Sequence, residues 1–363
     1  MTGEESAHLT LESGNMSACH INMANIYDVA RDAGVSIATV SRVFHGKESV
    51  GADLRERVLA AADQLGYRPH RLARALARGR RNILGLMLPT EISHPFYGLL
   101  AEGVARAAKE YGYEVMVGLA ARPSTESYVE AATELQDSRV SGMLLCAGAA
   151  TVRAFTEGRR ADAPPVVAVG CVPEVDVPIV TVDEEKAGYE LTRYLLGLGH
   201  ESIAMLGWGG EPRALGREHG YVRAMDEAGL PTMMYEGERT MAGGVKTARE
   251  LMGRGRAVTA LMTFNDPMAL GAMRGLHEVG LRVPEDMSVA GFDGIPQGAC
   301  SIPALTTVEL PVDEMARKAV DMLGRHVGFC EDDDCEDKIL INPRLVVRDS
   351  CRPPSTTGDG FER

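Results

Sequence analysis

One pattern limits what this chain can fold into. From residue 83 to residue 351, short runs rich in Val, Ile, Leu and Met alternate with segments of helical period. The runs are Ile83–Leu88, Glu114–Gly118, Gly142–Cys146, Val166–Val169, Ser202–Leu206, Ala260–Thr263, Ser288–Phe292 and Leu305–Val308. Strands this apolar need cover on both faces, and intervening helices supply it, so the alternation predicts parallel sheets flanked by helices. With 363 residues, 45% of them hydrophobic, the chain is too long for one simple domain. An α/β core of two doubly wound parallel-sheet subdomains, with a cleft between them, fits the length.

Upstream the period changes. Asn25 is placed to cap a helix running from Ile26 to Ala33, and Gly34 stops it and permits a sharp turn. Val35 supplies an apolar plug, and Ser36 caps a second helix through Phe44. A third helix runs from Ala52 to Leu65, with Gly66 at its end and Leu54, Val58, Ala61, Ala62 and Leu65 on one face. Helix, turn, helix and a bracing third helix is the layout that sets one helix into the DNA major groove. A small all-α helix-turn-helix headpiece is therefore expected ahead of the core.

The formal net charge of −13 argues against a nucleic-acid partner only if the charge is evenly spread. It is not. Residues 25–82 hold 11 Lys/Arg against 6 Asp/Glu, and the stretch from Tyr67 to Arg81 carries Arg68, Arg71, Arg74, Arg78, Arg80 and Arg81 with no acidic residue. Phosphates neutralise such a cluster, so it is expected to fold as a helix on DNA.

Glu4, Glu5 and Glu12 stand where a signal peptide places basic residues. The longest uncharged apolar-rich stretch, Val140 to Val152, is shorter than the roughly 20 residues that span a bilayer. The seven scattered cysteines fit reduced thiols. A cytoplasmic protein with no membrane partner is expected.

The run NIYDVARDAGVSIATVSRVFH at 25–45, followed by RERVLAAADQLGYRP at 55–69, resembles the headpiece of the lac-repressor-type family of bacterial transcription regulators. The similarity continues through VSGMLLCAG at 140–148, GHESIAMLG at 199–207, NDPMALGAMRGLHEVGLRVPEDMSVAGFD at 265–293 and PALTTVELP at 303–311. The resemblance implies a periplasmic-binding-protein-like core over 83–351, preceded by an arm (1–24), the headpiece (25–67) and a hinge helix (68–82), and followed by a flexible tail (352–363). It implies a homodimer on a pseudo-palindromic double-stranded operator, acting most simply as a repressor. No leucine heptad follows the core, so a tetramer through a terminal coiled coil is not expected.

On this resemblance Ser36, Ile37, Ala38, Thr39, Ser41, Arg42 and His45 lie on or beside the recognition helix. Arg42 can donate two hydrogen bonds to guanine, and Ile37 and Ala38 occupy the positions that largely choose the operator. Tyr27, Ser36, Thr39 and Arg55 would hold phosphates. Leu76 matches the side chain that wedges between base pairs in the minor groove, and Ala73 permits close packing of paired hinge helices. In the core, Phe96 and Tyr97 match pocket aromatics, Arg217 an arginine that clamps ligand hydroxyls or a carboxylate, and Asn265 and Asp293 bidentate hydroxyl contacts. The implied effector is a sugar, sugar acid or polyol.

Four features depart from the family pattern. Gly51 offers no capping side chain to the third helix, one extra residue stands in PTEIS at 89–93, and Gly170 and Gly294 replace frequent acids. No P-loop, GxSxG or metal-spaced histidine pair is present, and Cys330 to Cys335 reads as an acidic loop, so no catalytic residue, metal or cofactor is assigned. A transporter's solute-binding protein would share the lobed core but has no use for residues 25–81. A sugar-turning enzyme and a constitutive DNA binder with a vestigial pocket are the other rivals.

Overall fold

The computed structural model describes residues 26–44, 51–65, 82–89, 94–157, 159–160, 162–170, 175–208, 215–253, 258–330 and 336–355. The described residues divide into two units, one within Met1–Arg80 and one within Arg81–Arg363. The arm at 1–24, Asn25, His45, the hinge positions Ala73 and Leu76, and the tail beyond 355 lie outside the described residues.

The first unit packs three short helices, α1 (Ile26–Asp32), α2 (Ile37–Phe44) and α3 (Ala52–Gln64), on a core of small side chains. Val29, Val40, Val43 and Val58 are buried with Ala30, Ala33, Ala61 and Ala62. Gly34 takes a φ of +64°, the left-handed turn expected of it, and Ser36 Oγ accepts the Thr39 amide at 3.2 Å to cap α2. Arg57 donates to the Ala33 carbonyl at 2.6 Å, tying the end of α1 to α3. Gly51 makes no side-chain cap. Leu65, expected on the buried face, lies one residue past the end of α3 and is exposed, because the face ends with Ala62.

The second unit holds two six-stranded sheets. The first is ordered β11-β5-β4-β3-β1-β2, from β1 (Ile83–Leu88), β2 (Glu114–Leu119), β3 (Gly142–Leu145), β4 (Val166–Val169), β5 (Ile179–Val182) and β11 (Lys338–Ile341), all parallel. The second is ordered β12-β10-β9-β8-β6-β7, from β6 (Ile203–Trp208), β7 (Met233–Glu236), β8 (Ala260–Thr263), β9 (Ser288–Asp293), β10 (Thr306–Glu309) and β12 (Arg344–Val346). Only β12 runs antiparallel to its neighbour. β1, β3, β4, β8 and β9 are buried along their whole length, which is why they read as continuous apolar runs.

Helices α4 (Pro95–Glu110), α5 (Thr125–Asp137), α6 (Ala149–Glu157) and α12 (Val312–Val327) pack on the first sheet. Helices α7 (Glu184–Gly197), α8 (Leu215–Glu227), α9 (Met241–Gly253) and α10 (Asp266–Glu278), with the short α11 (Pro296–Ala299), belong to the second. The chain therefore passes between lobes three times: after β5, after β10 and between β11 and β12. Two of these crossings are joined where Lys186 Nζ donates to Asn342 Oδ1 at 3.0 Å. No helix among the described residues is long and apolar enough to cross a membrane.

Candidate functional site

In both sheets the chain winds off in opposite directions from the first strand, so the switch points lie between β1 and β3 and between β6 and β8. Doubly wound sheets bind ligands beyond the carboxyl ends of their strands at these points. The expected effector residues stand near these ends: Phe96 and Tyr97 in the first turn of α4, Arg217 in the first turn of α8, Asn265 at the N-cap of α10 and Asp293 at the end of β9.

On the first lobe, Pro95 opens α4, and His94 stands at its N-cap without capping it. The Phe96 and Tyr97 rings meet edge to face at 5.4 Å, and the His94 and Tyr97 rings lie 5.6 Å apart. Phe96 is only 8% exposed and joins the lobe's core, so Tyr97 and His94 present more of the aromatic surface.

On the second lobe, two glycines fix the geometry. α7 and α8 approach so closely that a Cβ on Gly188 would run into the Arg217 carbonyl oxygen, and this contact sets Glu184 against Arg217. At the end of β9, Asp293 has a φ of +110° and Gly294 one of +75°, and a Cβ on Gly294 would stand 2.7 Å from Glu309 Cα. That turn sends the Asp293 carboxylate back into the cleft, and the expected loss of an acid at 294 follows from the lack of room.

Arg217 is buried and fully engaged. Its Nε donates to Glu184 Oε1 at 2.8 Å, Nη2 lies 2.6 Å from the same oxygen and 3.4 Å from Asp293 Oδ1, and Nη1 donates to the Phe264 carbonyl. Its guanidinium sits 3.8 Å from the Phe292 ring centroid and 4.7 Å from that of Phe264. Arg239 stacks on Phe264 at 3.6 Å and donates to the Gly207 carbonyl.

Asn265 caps α10, its Oδ1 accepting the Met268 amide at 2.9 Å. Its Nδ2 therefore faces away, donating to the Arg239 carbonyl at 2.9 Å and to His94 Nε2 across the cleft at 3.1 Å. His94 Nε2 must accept, so the neutral ring carries its proton on Nδ1. Burial and the neighbouring Arg217 charge hold His94 down at about 4. Asp293 Oδ2 lies 3.5 Å from the same Nε2. Burial pushes the Asp293 carboxyl well above the usual carboxylate range, with Arg217 opposing and Asp266 and Glu184 adding repulsion.

The structure thus gathers Tyr97, Arg217, Asn265 and Asp293 at one cleft, with Phe96 behind them. The sequence reading missed His94, Glu184, Glu218, Arg239, Phe264 and Phe292. Glu218 is buried on α8 between Arg217 and Tyr221, which the sequence alone does not signal. Among the described residues no group of three or more His, Cys, Asp or Glu could hold a metal ion.

On the first unit, α2 buries Val40 and Val43 and leaves Ile37 exposed at 41%. Ser36 and Thr39 share a hydroxyl contact of 2.9 Å beside it. Tyr27, Ala38, Ser41 and Arg42 lie on α1 and α2 by backbone position, and Arg55 is half-buried on α3.

Two family models match. The one described as bacterial regulatory proteins, lacI family, covers residues 25–70, and the one described as periplasmic binding proteins and sugar binding domain of LacI family covers residues 81–349. The HTH-type transcriptional regulator DegA of Bacillus subtilis strain 168 is 32% identical over 342 residues, 91% of this chain and 99% of the relative. The HTH-type transcriptional regulator MalR of Streptomyces coelicolor is 35% identical over 337 residues, 89% and 95% of the two chains. The lac repressor dimer bound to operator and the anti-inducer ONPF superposes with a TM-score of 0.80 at 28% identity, over 91% of this chain and 99% of that one. The CelR–cellobiose complex superposes with a TM-score of 0.64 at 28% identity, over 90% and 99%. With its headpiece and nearly all of its core matched, the chain belongs to the lacI family of bacterial regulatory proteins.

Proposed function

We propose that this chain is a cytoplasmic transcriptional repressor that binds a pseudo-palindromic operator as a homodimer and releases it when a small polyhydroxy effector occupies the cleft between its lobes. The observation that carries the reading is the His94–Asn265 contact, which joins the two lobes at the switch points where a ligand would enter. An effector that competes for Asn265 and Asp293 changes how the lobes meet, and any difference in its affinity for two lobe arrangements becomes a difference in operator affinity. The coupling expected of such a device is about 1–3 kcal/mol, or roughly 5–150-fold. The protein acts by binding, without turnover.

In the headpiece, Arg42 with Ile37, Ala38, Ser41 and His45 would read bases, while Tyr27, Ser36, Thr39 and Arg55 set the register on phosphates. Ala73 and Leu76 would pack and wedge in the minor groove. The domain limits are those of the headpiece at 25–67, the hinge at 68–82 and the core at 83–351. Two exposed apolar faces of the core suit a second copy. One is the β2 edge with Met116, Val117 and Leu119, and the other surrounds Ile302, which is 97% exposed beside Leu270 and Met273.

The test selects bound sequences from a random DNA pool, then titrates the selected operator against sugars by fluorescence anisotropy. Sugar-dependent release by the dimer is expected. Leu76→Ser should weaken specific binding far more than nonspecific binding; equal losses, or a selected site without two-fold symmetry, would count against the reading.

A further inference from the structure

The cleft carries an unusual charge balance. Arg217 spends its donors on Glu184, Asp293 and the Phe264 carbonyl, and its guanidinium lies against the Phe292 and Phe264 rings. Arg239 is held by the Gly207 carbonyl and by Phe264. His94 is neutral, its one proton on Nδ1, which has no partner. Against these two engaged guanidiniums stand the buried carboxyls Glu184, Asp293 and Glu218, with buried Asp266 behind Asp293 and bonded to Thr307 and the Ile295 amide. Glu218 is 5% exposed, and neither of its oxygens has a hydrogen-bond partner. Its field reaches the same groups, since Arg239, Arg217 and Glu184 all act on it.

We propose that the effector of this cleft is an uncharged or amine-bearing polyhydroxy compound, and that Glu218, with Asp293 and Glu184, excludes sugar acids. The proposal rests on the reading of the cleft as an effector site and narrows the class of its ligand. A ligand carboxylate would have to draw Arg217 away from Glu184 and Asp293, which weakens the support of two buried carboxyls. Above about pH 7 it would also meet the charge of Glu218 in a medium that screens poorly. Hydroxyl or ammonium donors meet the opposite situation, because the groups left short of partners on this side are carboxylate oxygens. Discrimination by repulsion of the wrong ligand needs no contact to the right one, so Glu218 can act from behind the first layer of cleft side chains. Burial pushes Glu218 up to about 7, so its charge, and with it the exclusion, is full only above that pH.

The experiment titrates the full-length protein by calorimetry at pH 8.5, where Glu218 is ionised, with ring-matched series: glucose, glucosamine and glucuronate; galactose, galactosamine and galacturonate; sorbitol and gluconate. Within any series that binds, the acid is expected at least tenfold weaker than its neutral counterpart and the amine at least as tight. In Glu218→Gln the gap between neutral sugar and acid should narrow at least threefold, and the amine should lose its advantage. An acid that binds the native chain as tightly as its neutral counterpart overturns the proposal and leaves the effector reading standing, and this comparison needs no variant to fold. An unchanged gap in folded Glu218→Gln also overturns the role of Glu218. Silence across every series overturns the effector reading of the cleft, and this proposal with it.

Discussion

The amino-terminal lobe lines the cleft with His94, Phe96 and Tyr97, none of them charged, whereas the carboxyl-terminal lobe lines it with Glu184, Arg217, Arg239 and Asp293. Both lobes have the same six-stranded winding, so the winding does not dictate this division. It arises from local sequence. The glycine contact between α7 and α8 places an ion pair at the strand ends, and the Asp293–Gly294 turn adds a carboxylate. On the other side, Pro95 opens α4, and the described residues around it, His94, Phe96 and Tyr97, are rings. One lobe thus holds a preorganised polar lattice and the other contributes shape and a single neutral bridge. Cleft closure then brings a charged surface against an aromatic one.

The lattice is where a single substitution should do most damage. Arg217→Met removes the buried cation paired with Glu184 and Asp293 and leaves both carboxyls buried. Urea unfolding of the core should show a loss of about 3–5 kcal/mol, the cost of breaking a buried ion pair from one side. The triple variant with Glu184→Gln and Asp293→Asn should recover most of it. On the first lobe, Arg106→Met, which breaks an exposed pair with Asp313, should stay within about 1 kcal/mol. Equal losses at Arg217 and Arg106 would erase the contrast between the lobes.

Much of this was legible in the sequence, and the part that was not has a common physical cause. The three headpiece helices fall where Gly34, Ser36 and the valine spacing put them, because short helices are fixed by caps and by a small set of buried side chains. Eight of the core strands were visible as apolar runs. The missed strands were β5, β7, β11 and β12. Of these, β7, β11 and β12 are edge strands with one face partly open, so MMYE, KILI and RLV lack the continuous apolar signature. β5 is buried and four residues long like β4, and differs from it in the Thr181 that interrupts its apolar run. In the cleft, Asn265 and Asp293 stand at strand ends and were readable, and Arg217, in the first turn of α8, was readable from the family resemblance of REHGY. Glu184, Glu218 and Arg239 were not, because a charged residue in a helix's first turn or in a loop reads as solvated until its burial is known.

The next contrast lies on the pH axis. Glu218 titrates near 7 in the folded chain, against 4.5 as its ordinary value, and burial is the main cause. The folded state therefore binds the extra proton between those values, so stability is greatest at the acid end and falls as pH rises from about 5 to about 8. Asp266, raised to about 6 by burial, acts in the same sense. Glu218→Gln should flatten this alkaline limb, with a difference from the native chain of no more than about 3 kcal/mol at pH 8 and little at pH 5. Thermal melts at both values measure it. An alkaline limb unchanged in the variant would mean that Glu218 is compensated within the fold.

The smallest effect at neutral pH belongs to the bridge. His94→Ala deletes one neutral acceptor, leaving Asn265 still capping α10 and still bonded to the Arg239 carbonyl. The loss at pH 7.5 should be about 1 kcal/mol, the net worth of a single hydrogen bond. Its sign should change in acid. The folded ring is held down at about 4 while the unfolded ring titrates near 6.5, so the unfolded chain binds the proton first and the native protein loses stability as pH falls through that window. The alanine variant has no such ring to protonate, so by pH 4.5 it should match or exceed the native chain in urea midpoint. His94→Ala and Glu218→Gln then remove opposite limbs of one stability curve, one from each lobe. A His94→Ala deficit that persists undiminished at pH 4.5 would show that the ring is already charged in the fold and that the bridging lobe is not the neutral one.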